Sequence, residues 1–337
     1  MKRSLLRLRV PLREPFVTAN GVLAERELVV VRLEDDAGVP GWGEASPLEA
    51  YDGVSVDAVW DALAAGPPAR DAPAQARTAW ELSELDLQAR RRGRSLGDVG
   101  AEAIPVNRTL PAGPPEEVAA AAAEGARLGF SCFKLKVGLP DDVDRVAAVR
   151  AALGEWPALR VDANGAWGVD EAVERIGELA RFDLELVEQP CATLEELTAV
   201  RARCESAIAA DEPIRTAADV RRAAELGACD AVNVKLAGSG GYLPARDALR
   251  AAEEAGMSAW LSSTFDGPWA IAAALQLAAQ ERIVLACGLA TLDLFDRPLA
   301  QMLPKPRQGL LTVPAGPGLG VDPPLDALEP LIVDRLD

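Results

Sequence analysis

Strand-length apolar segments recur along most of this chain at a nearly constant interval, each followed by a helix-length stretch rich in Ala and Leu. The strands read from the sequence lie at 104–107, 130–137, 159–162, 184–188, 207–211, 231–235, 258–262 and 283–287, with helices such as 114–128, 170–180 and 217–226 between them. The polar residue or glycine closing successive strands is Lys136, Asp162, Glu188, Asp211, Lys235, Ser262 and Gly288, at steps of 26, 26, 23, 24, 27 and 26 residues. One strand and one helix per interval of about 25 residues is the spacing of a (β/α) barrel, with parallel strands joined by right-handed crossovers. Barrels of this kind place their chemistry at the C-terminal ends of the strands. Here those ends read Lys, Asp, Glu, Asp and Lys.

The first hundred residues have a different texture. A β-branched run at 28–33 leads into the turn Asp35-Asp36-Ala37-Gly38, and Gly41-Trp42-Gly43-Glu44-Ala45 follows as a returning strand. Residues 75–92 then read as a helix. This part is α+β. Beyond Leu299 the alternation stops in Pro- and Gly-rich segments, and the apolar stretch 325–328 is expected to return to the N-terminal sheet.

Composition narrows the chemistry. The chain has 337 residues, 35 Lys and Arg against 52 Asp and Glu, and a formal net charge of −17. Such a charge repels a phosphate backbone or an anionic membrane, so neither nucleic acid nor membrane is an expected partner. There is no histidine, which excludes His-based triads, His-ligated zinc and any imidazole base. Cys132, Cys191, Cys204, Cys229 and Cys287 show no CxxC spacing and read as small hydrophobes, not as disulfides or a zinc site. Arg7 and Arg9 interrupt any signal-peptide core, and no apolar run approaches the length of a membrane span, so a cytoplasmic location is expected.

Asp162, Glu188 and Asp211 end three successive strands. Three carboxylates converging on one barrel mouth repel one another unless a cation sits among them. An all-oxygen set of this kind suits Mg²⁺ or Mn²⁺. The alternative is that each acid caps a helix or pairs with an arginine. Lys134 and Lys136 alternate on one strand, so both point into the barrel, and Lys235 ends a strand across from them. Clustered cations and partial desolvation are expected to lower a lysine pKa until it serves as a base near neutrality. The constellation suits removal of a proton next to a carboxylate, with the metal and an opposing cation offsetting the charge that develops.

Taken together, Lys134-x-Lys136, Arg160-Val161-Asp162-Ala163-Asn164, Glu188-Gln189-Pro190, Asp211-Glu212 and Val234-Lys235 resemble the muconate-lactonizing subgroup of the enolase superfamily over nearly the whole chain. The resemblance implies an α/β fold: a modified TIM-type (β/α)7β barrel at 103–305 under an α+β capping domain formed by 1–102 and the C-terminal tail 306–337. It implies Mg²⁺ held by Asp162, Glu188 and Asp211 with Asn164 beside it, and a lysine base. The segment 15–21 resembles the capping-domain loop that closes over the barrel mouth in this family, and is expected to act as a gate.

The segments Ser262-Ser263-Thr264-Phe265-Asp266 and Cys287-Gly288-Leu289-Ala290-Thr291 are similar to the o-succinylbenzoate synthase family of menaquinone biosynthesis. That likeness implies dehydration of a cyclohexadiene carboxylate. Lys136 would take the proton and return it to the departing hydroxyl. Lys235 would face the opposite side, and Ser262, Ser263 and Gly288 would receive the succinyl carboxylate. Trp269 departs from the small residues expected there and is read as reshaping the pocket. Dipeptide epimerases of the subgroup carry Asp-x-Asp after the last strand, whereas Asp293 and Asp296 stand three apart. The remaining readings are an N-succinylamino acid racemase, a cycloisomerase, and a catalytically silent barrel kept for binding.

Overall fold

Two large sheets and a small two-stranded one make up the strands in the computed structural model, which describes residues 1–18, 21–97, 102–110 and 112–337. The first sheet is antiparallel and contains β1 (Lys2–Thr18), β2 (Gly21–Glu34) and β3 (Pro40–Ala45). Its fourth strand, outside β1, is the distant segment Ile332–Leu336, with Leu5 opposite Leu336. The tail therefore does return to the N-terminal sheet, through 332–336; the stretch expected to do so forms the short helix Leu325–Leu328 instead.

Period-two alternation explains why 28–31 is apolar throughout and why Leu33 is apolar again after the single charge at Arg32. Val29, Val31 and Leu33, with Leu5, face the cap helices and pack on Val59, Leu63, Ala79 and Leu87. Leu28 and Val30, with Leu8 and Val10, face the barrel core. A sheet buried on both faces has no polar side to show. Gly41 and Gly43 of β3 lie directly against Ala79, Ser83 and Leu87 of the helix Ala74–Arg91, where a Cβ would collide with the helix backbone. Glycine is what permits that approach.

In the second sheet the strands all run parallel. After the short β4 (Ala103–Pro105), its strands are β5 (Arg108–Leu110), β6 (Cys132–Lys136), β7 (Ala158–Asp162), β8 (Leu186–Glu188), β9 (Ile208–Ala210), β10 (Ala231–Val234) and β11 (Ser258–Leu261), neighbours in that order. The sheet curls, and two residues join its edges: Cys287 bridges to Val106 and Gly288 to Ser262, both in parallel sense. This is the (β/α) barrel expected from the spacing, in the modified form that the family resemblance implies, with helices such as Pro115–Arg127, Val169–Leu179 and Ala217–Leu226 outside.

Two strand expectations are corrected. The segment 104–107 is split: β4 pairs antiparallel with β12 (Leu310–Thr312), and the barrel strand starts at Arg108. The strand expected at 283–287 shrinks to the bridges at 287 and 288. Residues 283–286 are irregular, because the preceding helix ends at Gln280 and closes with Arg282 at φ +54° and the Ile283 N–H donating to Ala278 O at 2.9 Å. That is a helix C-terminal closure, and it removes Ile283 from any strand.

The helix Pro268–Gln280 is buried from Pro268 through Ala279, wedged between β3 and the barrel. Trp269 is fully buried there and stacks on Trp42 with ring centroids 6.3 Å apart. Its bulk goes into the cap–barrel seam, not into the cavity wall, which corrects the expectation that it reshapes the pocket. Of the expected gate at 15–21, residues 15–18 end β1 and Gly21 begins β2, with Thr18 opposite Gly21, while Ala19 and Asn20 lie outside the described residues. All five cysteines are free thiols. Among the described residues no helix is long and apolar enough to cross a membrane.

Candidate active site

Strand register builds the site. Lys136, Asp162 and Glu188 are direct neighbours across β6, β7 and β8. One residue beyond β9, β10 and β11 come Asp211, Lys235 and Ser262. The carboxylates Asp162, Glu188 and Asp211 are all buried, and one oxygen of each lies within 4.8 Å of the others. Among the described residues none of the three forms an ion pair with an arginine. Their ion-pair partners are the lysines.

Lys134 Nζ lies 2.9 Å from Asp162 Oδ2 and 2.7 Å from Glu188 Oε1. Lys136 Nζ lies 2.6 Å from the same Asp162 oxygen and donates to Asn164 Oδ1 at 2.7 Å. Lys235, four strands around the ring from β6, pairs closely with Asp211. The lysines therefore flank the mouth from opposite sides, as the alternation on β6 and the end of β10 predicts.

Electrostatics here run against one expectation. Burial penalises the ammonium of Lys134, but Asp162, Glu188 and Asp211 outweigh that and raise its pKa. Burial likewise works against Lys235, and Asp211, Glu212 and Glu188 raise it. The depression expected from clustered cations is thus absent at these two lysines, because each sits nearer to carboxylates than to another lysine. For Asp162 burial works upward, yet Lys134 and Lys136 hold it well below the usual carboxylate range. Glu188 is raised, chiefly by burial. Glu212 is pushed up to about 7 by burial and by Asp211 and Asp162.

The donor set fits a hard divalent cation. Three carboxylates converge, all ligands are oxygen, and the buried Glu188 Oε2 has no hydrogen-bond partner of its own. Two residues in the left-handed region support the cage. Asn164 (φ +47°) donates its backbone N–H to Asp162 Oδ1 at 2.9 Å and its amide to Glu212 Oε1 at 2.9 Å. Gln189 (φ +41°) accepts the Asp211 backbone N–H on Oε1 at 2.7 Å. Such conformations are held only where the surroundings enforce them.

Over this cage opens a cavity between barrel and cap. Its walls include Lys134, Lys136, Asp211 and Lys235, and also Ser262, Ser263 and Gly288. Ser262 Oγ donates to Asn233 Oδ1 at 2.7 Å, and the hydroxyls of Ser263 and Thr291 are 2.7 Å apart. Trp260, on the same wall, lies over the buried Arg160 guanidinium at 5.0 Å.

Three contributors were not singled out from the sequence. Asn233 donates to Glu188 Oε1 at 2.9 Å; its position two before Lys235 on one strand is a signal that alternation could have supplied. Glu212 stands beside Asp211 in the quoted motif. Tyr51 comes from the cap. Its hydroxyl accepts from Lys235 Nζ at 2.9 Å and donates to Asp211 Oδ2 at 3.2 Å. Burial, with Asp211 and Glu212 nearby, raises its pKa well above the ordinary value, so the phenol keeps its proton.

Comparison with known proteins bears on this geometry. Residues 117–327 match the family model described as enolase C-terminal domain-like. An o-succinylbenzoate synthase from Thermobifida fusca (strain YX) is 39% identical over 310 residues, covering 90% of this chain and 85% of the relative. An N-succinyl-L-Arg/Lys racemase from Bacillus cereus is 26% identical over 367 residues, covering 98% of this chain and 96% of the relative. Among solved structures, a dipeptide epimerase from Cytophaga hutchinsonii complexed with Mg and dipeptide D-Ala-L-Val superposes with a TM-score of 0.90 at 26% identity, over 99% of this chain and 98% of that one. With a family match over most of its length, a curled parallel barrel under an antiparallel cap, and three strand-end carboxylates faced by lysines, the chain belongs to the enolase superfamily.

Proposed function

We propose that this protein is an o-succinylbenzoate synthase, dehydrating 2-succinyl-6-hydroxy-2,4-cyclohexadiene-1-carboxylate to o-succinylbenzoate in menaquinone biosynthesis. The observation that carries the reading is the 39% identity to a synthase over 90% of the chain. The cavity wall agrees with it. Across from Lys134 and Lys136 it carries Ser262, Ser263, Gly288 and Thr291. The Gly288 N–H is taken by Leu261 O and the Ser262 hydroxyl by Asn233, so the Ser263–Thr291 hydroxyl pair is the neutral donor suited to a second carboxylate. We assign 1–102 and 306–337 to the cap and 103–305 to the barrel.

Asp162, Glu188 and Asp211 would hold Mg²⁺, which when bound supplies a Lewis acid for the substrate carboxylate. Lys136 would take the proton from the carbon next to that carboxylate, and the C–H electron pair would pass into the enediolate. Lys235 stays cationic on the opposite side, where its paired carboxylate and the Tyr51 hydroxyl orient it. Collapse of the enediolate then breaks the C–O bond, and the proton held by Lys136 leaves with the hydroxyl as water. Lys134, raised by its carboxylate neighbours, remains an ammonium and faces the substrate carboxylate.

A second reading has one observation in its favour. Lysines on opposite sides of one carbon also suit proton removal from one face and return to the other, the task of an N-succinylamino acid racemase. The deciding experiment supplies the purified protein and Mg²⁺ with the cyclohexadiene carboxylate and, separately, with N-succinylamino acids of both hands. A dehydration kcat/KM well above that of racemisation is expected. The reverse order would transfer the assignment to the racemase.

A further inference from the structure

Arg26 is a cation buried where none of the residues proposed for catalysis reaches. It sits on β2 and is 3% exposed. Its guanidinium donates to four backbone carbonyls: Pro47 O at 2.7 Å, Ser46 O at 2.9 Å, Thr264 O at 3.2 Å and Phe265 O at 3.4 Å. Two of these belong to the cap segment that runs into Leu48, Ala50 and Tyr51. The other two belong to the barrel segment that contains Ser262 and Ser263. Both segments line the cavity, and so does Leu23 on the strand that carries Arg26.

The surroundings explain why the cation is tolerated. Asp266 is buried beside it, and Glu44 lies just beyond, accepting from the backbone N–H groups of Gly267 and Trp269 and from Ser46 Oγ at 2.6 Å. Burial works against the charge of Arg26, and Asp266, Asp52 and Glu44 support it. Guanidinium presents five donors in a rigid plane, so it satisfies carbonyls of two separate chain segments at once. An ammonium in its place keeps the charge but has three donors and no fixed fork.

We propose that Arg26 is a positioning residue for the cavity: it fixes the cap segment carrying Tyr51 and the barrel segment 262–265 at one separation, and thereby sets how firmly the cavity grips its substrate. Arg26 touches neither the carboxylate cage nor the lysines, so its effect falls on binding more than on proton transfer. The kinetic half of the test rests on the synthase reading; the exchange half does not.

The test compares Arg26→Lys and Arg26→Met with the unaltered protein. Hydrogen–deuterium exchange, read by mass spectrometry, should rise in 46–52 and 262–266 together and stay unchanged in β6 and β7. With the cyclohexadiene carboxylate, KM should rise about tenfold in Arg26→Met and about threefold in Arg26→Lys, with kcat within about threefold of the original. Wild-type exchange and KM in Arg26→Lys would mean that charge alone matters and would overturn the proposal. So would loosening of only one segment, or a loss confined to kcat. If Arg26→Met fails to fold, Arg26→Lys carries the decision. If the cyclohexadiene carboxylate is not turned over at all, the synthase reading fails while the exchange comparison still decides the role of Arg26.

Discussion

Tyr51, carried by the cap, donates a hydrogen bond to Asp211, carried by the barrel, across 3.2 Å, while its oxygen accepts from Lys235. One phenol thus touches both a carboxylate of the cage and the lysine opposite Lys136. Removing the hydroxyl in Tyr51→Phe takes away one donor and one acceptor in a buried setting. A loss of about 1.4 kcal/mol of transition-state stabilisation follows, equivalent to about a tenfold fall in kcat/KM. Steady-state kinetics check this, and an unchanged kcat/KM would confine Tyr51 to packing.

Asp211→Asn removes one charge from the cage. Affinity for Mg²⁺ should drop by at least about tenfold, because hard cations select for carboxylate charge. Calorimetric titration is the measurement, and an unaltered affinity would take Asp211 out of the ligand set.

Lys136→Ala should leave the fold and Mg²⁺ binding intact and cost about 10²–10⁴-fold in turnover, the usual contribution of a general base. Lys136→Arg should recover little, since guanidinium does not release its proton at working pH. Turnover of both variants at saturating Mg²⁺ decides the point. A near-native rate in either would assign the base elsewhere.

The seam between cap and barrel has its own pH response. Burial, with Asp266 nearby, pushes Glu44 up to about 7 from an ordinary 4.5. A carboxyl raised on folding binds its proton more tightly in the native state. Its stabilising contribution is therefore present below pH 4.5 and fades as pH rises through 7. Urea midpoints should be lower at pH 8 than at pH 5, and Glu44→Gln should remove up to about 3 kcal/mol of that difference. An identical pH dependence in the variant would show that Glu44 does not titrate in this range.

What the sequence revealed follows from how local each signal was. Lys134, Lys136, Asp162, Glu188, Asp211 and Lys235 sit at strand ends, where alternation and repeat spacing fix both face and height. Those six could be placed in one barrel mouth before any coordinates. Tyr51, Arg26 and the direction of Trp269 depend on how the cap meets the barrel, a contact between segments some 200 residues apart. No local pattern encodes that. The start of the chain is an intermediate case. Leu6-Arg7-Leu8-Arg9-Val10 alternates as a strand should, but basic residues among leucines at the start of a chain also fit a targeting segment, so the pattern alone does not single out β1.

The pairing of Leu5 with Leu336 gives the molecule an order of assembly. During synthesis on the ribosome, β1 emerges long before Ile332–Leu336, so its outer edge stays unpaired while the barrel between them is being made. The barrel strands can all meet before that edge is covered. Arg7 and Arg9 lie along the waiting strand, and such charges discourage another nascent chain from adding to an open edge. The cap sheet gains its fourth strand only from a segment made after the barrel.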